Sequence, residues 1–338
     1  MTPALAIFGN LTIDDLVFPD GSTRWAVPGG NAMYAAFGAS LWTEQISIVA
    51  PLGPDYPLEL AQGRFDLSRC THVPRSLRDW GLYEEDGSRH FIFRNATRDW
   101  ESFCPSPESA ASGKQIAAHV APMPRQVALG LIHELRKAGT RFISVDLDER
   151  DIHHSPSPAF PASMGKTGCP RSGFSDLGKQ DIHPTQFPSG PMESAAEQLR
   201  SSDLFLPSRQ ETLCMFPGSQ PLEALLRLRE LAPDVALIAV KCGADGVIGH
   251  AQGSPDFIRV PAVPIELVDA TGAGDSFCGG VLAGFTKTND AVEALLSGVV
   301  SASFCAQGWG LDGLAAARKE QALARAAAAR NRVTLHPT

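Results

Sequence analysis

Short apolar runs alternate with amphipathic stretches along most of the chain. Five runs rich in β-branched and other apolar residues predict strands, at residues 4–10, 46–53, 141–148, 203–208 and 235–243. Four stretches with apolar residues three or four positions apart predict helices, at residues 31–42, 124–139, 221–233 and 290–304. Apolar strands separated by amphipathic helices are typical of a parallel sheet with helices on both faces. The pattern therefore predicts an α/β fold with a doubly wound, mostly parallel central sheet.

The pattern changes at residues 78–98, which read as two short strands around an Asp-Gly-Ser sequence at residues 86–88. Such a sequence between two strands is typical of a hairpin turn. An antiparallel hairpin beside a doubly wound sheet favours a lid. We therefore expect a small β lid with segments near residues 11–28 and 78–98.

Residues 151–192 are crowded with Pro, Ser and Gly and show no periodicity. A structureless stretch of this length is uncommon inside a compact domain. We therefore predict a disordered insertion within a single domain that spans residues 1–338. Helical spacing returns from Met192 onwards.

Composition and charge argue against several classes of protein. Of the 338 residues, 43% are hydrophobic and 20% are charged, as is usual for a soluble globular protein. A net charge of −8 argues against a nucleic-acid or anionic-membrane partner that binds through bulk charge. No signal peptide or membrane-length apolar run is visible, and the seven cysteines form no Cys-x-x-Cys pair. We expect a soluble, cytoplasmic protein with reduced thiols.

The run VDATGAGDSFCGG, which begins at Val268, is the most informative stretch of the sequence. We read residues 265–268 as a strand that enters a glycine-rich turn, with a helix that begins near Ala273. Backbone N–H groups at a helix N-terminus lack partners within the helix, and the helix dipole adds positive charge there. The small residues of the turn allow an anion to approach this backbone closely. Asp275 as a simple helix cap is the alternative interpretation.

A second stretch, VPGGNAMYAAFGASLW, places Gly29 and Gly30 before an apolar helix. We expect Asp14 and Asp15 at the end of the N-terminal strand that precedes it. A turn followed by a buried helix is the plain interpretation of this stretch. Together with DATGAGD and the hairpin, however, it resembles the ribokinase-like (PfkB) family of carbohydrate kinases. The resemblance covers residues 9–310, apart from the insertion.

The resemblance implies a role for each matching residue. It implies Asp275 as the catalytic base and an anion hole formed by Gly272, Ala273 and Gly274. It implies substrate contacts from Asp14, Gly29, Gly30 and Tyr34. It implies nucleotide binding by Lys241, Gly243 and Gly246. It also implies two metal roles, for Glu211 with Mg²⁺ through water and for Asp269 with a monovalent cation such as K⁺.

The implied activity is ATP-dependent phosphorylation of a hydroxyl group on a sugar or sugar-like polyol, with Mg²⁺ as the metal. A nucleoside kinase on the same scaffold is an alternative, and a non-catalytic protein that binds sugar or nucleotide is another. The resemblance also raises the prospect of a homodimer formed through the lid. No nucleic-acid or membrane partner is expected.

Two positions depart from the family pattern and bear on the acceptor. Ser208 stands where the family has an asparagine, and Tyr34 stands where sugar kinases often have a substrate-binding asparagine. An aromatic ring near Arg94 and Arg98 favours an acceptor with an apolar ring face or a carboxylate. The alternative is that Tyr34 packs in the core and both arginines are solvated.

Overall fold

A nine-stranded sheet forms the centre of the computed structural model, which describes residues 4–85, 89–94, 101–111, 113–147 and 191–337. The strands are β1 (Leu5–Phe8), β2 (Thr12–Val17), β3 (Thr23–Gly29), β4 (Ile46–Val49), β5 (Pro51–Leu52), β6 (Thr71–His72), β7 (Leu77–Tyr83), β8 (Arg89–Phe93), β9 (Ala117–Val120), β10 (Phe142–Val145), β11 (Leu204–Phe205), β12 (Leu237–Lys241), β13 (Val247–Ala251), β14 (Asp256–Val260) and β15 (Thr334–Pro337). The helices are α1 (Asn31–Ser40), α2 (Glu108–Ala111), α3 (Arg125–Lys137), α4 (Pro191–Ser201), α5 (Arg209–Met215), α6 (Pro221–Leu231), α7 (Ala273–Thr288), α8 (Ala291–Ala306), α9 (Asp312–Ala316) and α10 (Lys319–Arg330).

The central sheet has the strand order β15-β14-β13-β12-β11-β10-β9-β1-β4. Neighbours from β12 to β4 are parallel, whereas β13, β14 and β15 extend the sheet as antiparallel strands. The chain leaves β1 first toward β4 and later toward β9, so the winding direction reverses next to β1. In sheets of this kind ligands bind beyond the carboxyl ends of the strands, where the direction reverses.

Helices cover both faces of this sheet because successive residues of each strand point to opposite faces. Leu5 and Ile7 of β1 belong to one apolar core with α1, α7 and α8. Ala6 and Phe8 belong to the other core with α3, α4 and α6. This arrangement confirms the predicted doubly wound, mostly parallel α/β fold.

A second sheet of four strands has the order β3-β2-β7-β8, and we call it the small sheet. It is the small β layer that the predicted fold class includes. Asp14 of β2 pairs in register with Asp79 of β7, and Asp79 pairs with Phe93 of β8. The proposed hairpin turn at residues 86–88 lies outside the described residues.

Two local predictions were wrong. Residues 265–268 form no strand; instead, the backbone N–H of Val268 donates to the carbonyl oxygen of Ala306, at the end of α8. Leu267 is 65% exposed, so this apolar run lies on the surface rather than inside a sheet. Asp14 and Asp15 lie within β2 of the small sheet and not at the end of the first strand.

The predicted insertion falls almost entirely outside the described residues, which resume with α4 at Pro191. Within the described ranges, no helix combines the length and the apolar character needed to cross a membrane.

Candidate active site

The turn DATGAGD leads directly into α7. Gly272 precedes the first residue of α7 and has a φ of 71°, in the left-handed region. A Cβ atom at this position would overlap the ring of Tyr34, so both the backbone conformation and the packing require glycine. Among the described residues, no side chain caps the helix at Gly272. The positive end of the helix dipole is therefore available to an anion.

The two residues that follow complete the predicted anion hole. Ala273 is half-buried, and Gly274 is exposed. The Nζ atom of Lys241 lies 3.7 Å from the position that a Cβ of Gly274 would take. An anion at this turn would thus meet backbone N–H groups together with a lysine ammonium.

Asp275 lies in the first turn of α7 and lines a pocket of about 200 Å³ together with Gly272. Burial and, to a smaller extent, the nearby charge of Asp146 raise the pKa of its carboxyl to about 7, although Lys241 lowers it. A carboxyl that titrates near neutral pH suits a general base, because it accepts a proton readily and is still ionised in part.

Lys241 is the cation at the centre of a buried charged cluster. Its Nζ atom donates to Oδ2 of Asp146 at 2.5 Å and lies 3.8 Å from Sγ of Cys278. Burial alone would lower the pKa of Lys241, but the negative charge of Asp146 and its neighbours raises it above the usual range. Lys241 therefore stays protonated, and its ammonium group can form an ion pair with a phosphate.

Glu211 is buried beside this cluster and is held by a capping box. Its Oε2 atom accepts from the backbone N–H of Ser208 at 2.6 Å, and Oγ of Ser208 accepts from the N–H of Glu211 at 3.1 Å. Ser208 therefore caps α5 and orients Glu211, a role for which its hydroxyl suffices. Burial and the charge of Asp146 raise the pKa of Glu211 to about 8, while Lys241 lowers it.

The ammonium of Lys241 interacts electrostatically with three carboxyl groups in this region, those of Asp146, Glu211 and Asp275. Mg²⁺ usually binds through one or two carboxylates, water and substrate phosphates rather than through a complete cage of side chains. No group of three or more metal-ligating side chains is found in the described part of the chain. The excess of buried carboxyl groups beside the anion hole fits Mg²⁺ that arrives with phosphate.

The predicted nucleotide-binding glycines flank a short 3₁₀ turn after β12. Gly243 has a φ of 58° and Gly246 a φ of 90°. A Cβ at Gly246 would lie 2.7 Å from the carbonyl carbon of Pro261, whereas the space around Gly243 is open. Gly246 therefore allows close backbone packing, and Gly243 leaves room for a ligand two residues beyond Lys241.

The small pocket also contains the predicted substrate residues. Asp14 is 5% exposed, and its Oδ1 atom has no hydrogen-bond partner among the described residues. Burial raises the pKa of its carboxyl to about 7. A Cβ at Gly29 would lie 2.8 Å from Cγ of Asp14, and one at Gly30 would lie 2.7 Å from Cα of Leu11. The glycine pair thus lets the backbone close around Asp14.

Two phenylalanine rings of β8 line the same pocket. Phe91 is 41% exposed, and Phe93 lies two residues further along the strand, on the same face. A Cβ at Gly81 would lie 3.1 Å from Cε1 of Phe91, so this glycine makes room for the ring. The pocket therefore combines carboxyl groups with aromatic faces.

Tyr34 and Arg94 take positions that differ from the predicted acceptor contact. Tyr34 is 3% exposed and supports the turn at Gly272, although it also forms part of the pocket wall. Burial raises the pKa of its hydroxyl well above the usual value. Arg94 forms an ion pair with Asp15, which is buried, and its guanidinium lies over the ring of Trp80. In this structure Asp15 engages Arg94, and the contact of Arg94 with an acceptor carboxylate stays a prediction; Arg98 lies outside the described residues.

Asp269 connects the small sheet to the anion-hole turn. The hydroxyl of Tyr83 lies 3.2 Å from both carboxylate oxygens of Asp269 and 3.0 Å from Oγ1 of Thr271. Asp269 also accepts from the N–H groups of Thr271, at 2.9 Å, and of Gly310, at 3.4 Å. In this structure hydrogen-bond donors engage the carboxylate, and binding of a monovalent cation at Asp269 stays a prediction.

A larger cavity of about 600 Å³ lies beside Tyr83, between the small sheet and residues 267–270. Phe18, Tyr83 and Trp309 contribute aromatic rings to it, with 5.0 Å between the Phe18 and Tyr83 centroids. Neither Asp14 nor Asp275 lines this cavity. The chemistry described above therefore belongs to the smaller pocket.

Comparison with known proteins agrees with this geometry. The family model described as "pfkB family carbohydrate kinase" matches residues 178–314, which include the anion hole, Asp275 and the predicted nucleotide-binding residues. Over these residues the chain is similar to the pfkB carbohydrate kinases.

Individual kinases are similar to the chain over nearly its whole length. It is 26% identical over 310 residues to a cytidine kinase of Thermococcus kodakarensis, covering 90% of this chain and 97% of that protein. The structure of a nucleoside kinase from Methanocaldococcus jannaschii aligns with a TM-score of 0.66 at 16% identity, covering 97% of this chain and 99% of the other. Arabidopsis thaliana ribokinase complexed with ribose and ATP aligns with a TM-score of 0.66 at 18% identity, covering 96% and 99%. At these identities the structural matches show a shared fold.

Several residues of this candidate site were missed from the sequence. Asp79, Phe91 and Phe93 line the pocket, and Tyr83 reaches Asp269. The signal was the alternation of side chains along the predicted hairpin, which places every second residue on one face. Asp146 was missed as well, although it lies near the carboxyl end of the strand predicted at residues 141–148, directly after β10, where ligands of such sheets bind.

Proposed function

We propose that the protein is an ATP-dependent kinase that phosphorylates a hydroxyl group of a nucleoside or a similar riboside. The observation that carries this proposal is the small pocket, which joins Asp14, Asp275 and two phenylalanine rings at the open end of α7. A hydroxyl-rich group suits the carboxyl groups, and a flat base suits the rings.

The phenylalanine rings favour a nucleoside over the free sugar or polyol that the sequence resemblance places first. A free sugar presents hydroxyl groups on most of its surface and is a poor match for the exposed ring of Phe91. Phe91 is 41% exposed in the present structure, so a base that covers it would remove apolar surface from water. The similarity over nearly full length to a cytidine kinase supports the same choice.

In the proposed reaction, the acceptor hydroxyl oxygen forms a bond to the γ-phosphorus of ATP, and the bond between that phosphorus and the bridging oxygen of ADP breaks. The hydroxyl proton passes to the carboxylate of Asp275, which lies at the pocket wall. The N-terminus of α7 and the ammonium of Lys241 stabilise the charge on the transferred phosphoryl oxygens. ADP and the phosphorylated acceptor are the products.

Glu211 and Asp146 are the residues that would hold Mg²⁺, which neutralises phosphate charge when it is bound. Lys241 balances part of the negative charge of this cluster in the free protein. The capping box with Ser208 keeps the Glu211 carboxylate in place, so the missing asparagine of the family pattern does not argue against catalysis.

The small sheet would exclude water from the reaction. Besides the Tyr83 contact with Asp269, Nη2 of Arg89 donates to the carbonyl oxygen of Ala270 at 3.3 Å. Both contacts bind the small sheet to the turn that forms the anion hole. Exclusion of water limits the hydrolysis of ATP in the absence of an acceptor.

The test is the formation of ADP from ATP and Mg²⁺ with a panel of nucleosides, free pentoses, hexoses and polyols. We expect ADP formation that depends on a nucleoside. Turnover with free sugars alone would contradict the nucleoside proposal, and binding of ATP and acceptors without any turnover would favour the non-catalytic alternative.

A further inference from the structure

Asp79 occupies the middle of the pocket wall that the small sheet provides. It is 6% exposed and lines the same pocket as Asp14 and Asp275. In the sheet it pairs with Asp14 on one side and with Phe93 on the other. Side chains of paired residues in neighbouring strands project from the same face of a sheet. Asp79 therefore lies between the carboxyl group of Asp14 and an aromatic ring.

The charges around the pocket favour ligands that donate hydrogen bonds. An ionised carboxylate only accepts hydrogen bonds, and three aspartates line the pocket: Asp14, Asp79 and Asp275. None of the described residues that line it is a lysine or an arginine. Two guanidinium groups of the small sheet, those of Arg78 and Arg94, form ion pairs with Asp15, the residue after Asp14. The carboxylate oxygens of this pocket suit a ligand that carries N–H and O–H groups.

We propose that Asp79 selects nucleosides whose base carries an exocyclic amino group, as in cytidine and adenosine. This inference rests on the proposed function, in which the ribose lies near Asp14 and Asp275 and the base lies against the rings of β8. The carboxylate of Asp79 accepts an N–H of the amino group, as acidic side chains do from the amino group of cytosine. Uridine and inosine place a carbonyl oxygen at the corresponding position, which repels the carboxylate and leaves it without that donor.

The experiment compares kcat/KM for two matched pairs, cytidine with uridine and adenosine with inosine. Each pair differs in the exchange of an amino group for a carbonyl oxygen, so the ratio within a pair reports recognition at that position alone. We expect the native enzyme to prefer the amino member of at least one pair by about tenfold or more, because a site built to accept a hydrogen bond discriminates strongly against a ligand that lacks the donor.

The variant Asp79→Asn tests the residue directly, because an amide can rotate to donate to a carbonyl oxygen. We expect the amino-to-oxo ratio to fall by about tenfold, through both lower turnover of the amino member and higher turnover of the oxo member. Asp234→Asn is the matched control, since Asp234 is exposed and lies outside the pocket. It should leave the ratio unchanged.

The outcomes separate this inference from the proposed function. Turnover of nucleosides with no amino preference, or a ratio that Asp79→Asn leaves unchanged, would overturn the role of Asp79 and leave the nucleoside kinase intact. Turnover of free sugars alone would overturn both. If Asp79→Asn does not fold, the matched-pair ratios of the native enzyme and of Asp79→Ser decide the question, because a structural role alone predicts no amino preference.

Discussion

Helices α1 and α7 both begin after a glycine, but the surroundings of their N-termini differ. Each follows a glycine with positive φ, Gly30 at 101° and Gly272 at 71°, and each packs deep in the same core. They touch closely, since a Cβ at Gly279 of α7 would lie 2.7 Å from the carbonyl carbon of Ala35 in α1. Their N-termini also line the same pocket.

The difference lies in what surrounds the first turn. At α1, Oδ1 of Asn31 accepts from the N–H of Asn10 at 2.9 Å, and Nδ2 of Asn31 donates to the carbonyl oxygen of Pro122 at 2.7 Å. The backbone N–H of Asn31 in turn donates to Oδ1 of Asn10 at 3.3 Å. These side-chain hydrogen bonds therefore fix the N-terminus of α1, which forms part of the pocket wall.

At α7 no side chain caps the start of the helix among the described residues, and Gly274 exposes the backbone next to Lys241. A glycine thus precedes a helix whose start is hydrogen-bonded by side chains in one place and the candidate anion hole in the other. The contrast shows that the neighbours of a glycine-led helix decide its function, and each prediction below tests one side of it.

The largest expected effect concerns Asp275. It lies in the first turn of α7, whereas the first turn of α1 has no acidic residue. Asp275→Asn should keep the fold and ATP binding but lower kcat by about 10²–10⁴-fold, because proton removal from the acceptor loses its base. Steady-state kinetics and ATP titration of the same preparation measure this. Near-native turnover by the folded variant would remove Asp275 as the base.

The next effect concerns the shape of the anion hole. Gly272→Ala forces a side chain into the left-handed region and against the ring of Tyr34, so the turn must move. We expect kcat to fall by about 10²–10³-fold, the usual scale for loss of an anion-stabilising donor. Gly253→Ala, at an open surface position with a φ of 69°, is the control for backbone strain alone. Equal kinetic effects of the two changes would contradict the role of the turn.

The sequence predicted those features whose residues are adjacent in the chain. The turn DATGAGD and the apolar strands and helices of the central sheet are continuous in the chain, and each was recognised from its own residues. Asp79 was not, because its position beside Asp14 depends on the pairing of β7 with β2, which are 65 residues apart at this register. Strand pairing of this kind follows from tertiary packing and not from local pattern.

The wrong strand at residues 265–268 has a related cause. Its residues are apolar enough for a strand, but no neighbouring strand lies beside them among the described residues, and Leu267 and Val268 remain exposed. An apolar run predicts burial only if a partner exists to cover it. The ion pair of Arg94 with Asp15 was missed because Asp15 lies in a distant segment of the chain.

A pH effect of intermediate size follows from burial of Asp275. Its pKa of about 7 means that kcat/KM should fall by about tenfold per pH unit below 7, since only the ionised carboxylate accepts the proton. The pKa of Asp14 is raised to about 7 as well, so Asp14→Asn is the control. The acidic limb should persist in that variant, and its disappearance would assign the limb to Asp14.

The same two groups make stability depend on pH. Both carboxyl groups have a pKa that the folded state raises from the ordinary value of 3.8, so the folded protein holds protons that the unfolded chain releases. This contribution to the free energy of unfolding is complete below about pH 4 and is lost as the pH rises to about 7. Thermal unfolding of the native protein and of Asp14→Asn should show a smaller loss in the variant.

The smallest expected effect on catalysis concerns the other terminus. Asn31→Ala removes the hydrogen bonds that hold the start of α1 and should lower the free energy of unfolding by about 1 kcal/mol. Because α1 acts as a wall, kcat should change by less than about tenfold. Denaturant unfolding and kinetics check both values, and a loss of kcat as large as that of Asp275→Asn would erase the distinction between the two helices.

Phosphorus NMR of a reaction with ATP, Mg²⁺ and cytidine tests the central claim most directly, namely that the open end of α7 transfers phosphoryl groups to a riboside hydroxyl. The account predicts one ADP and one phosphate monoester of cytidine for each ATP consumed, and no ATP consumption without an acceptor. Release of inorganic phosphate in place of the monoester, or no reaction with any nucleoside, would contradict it.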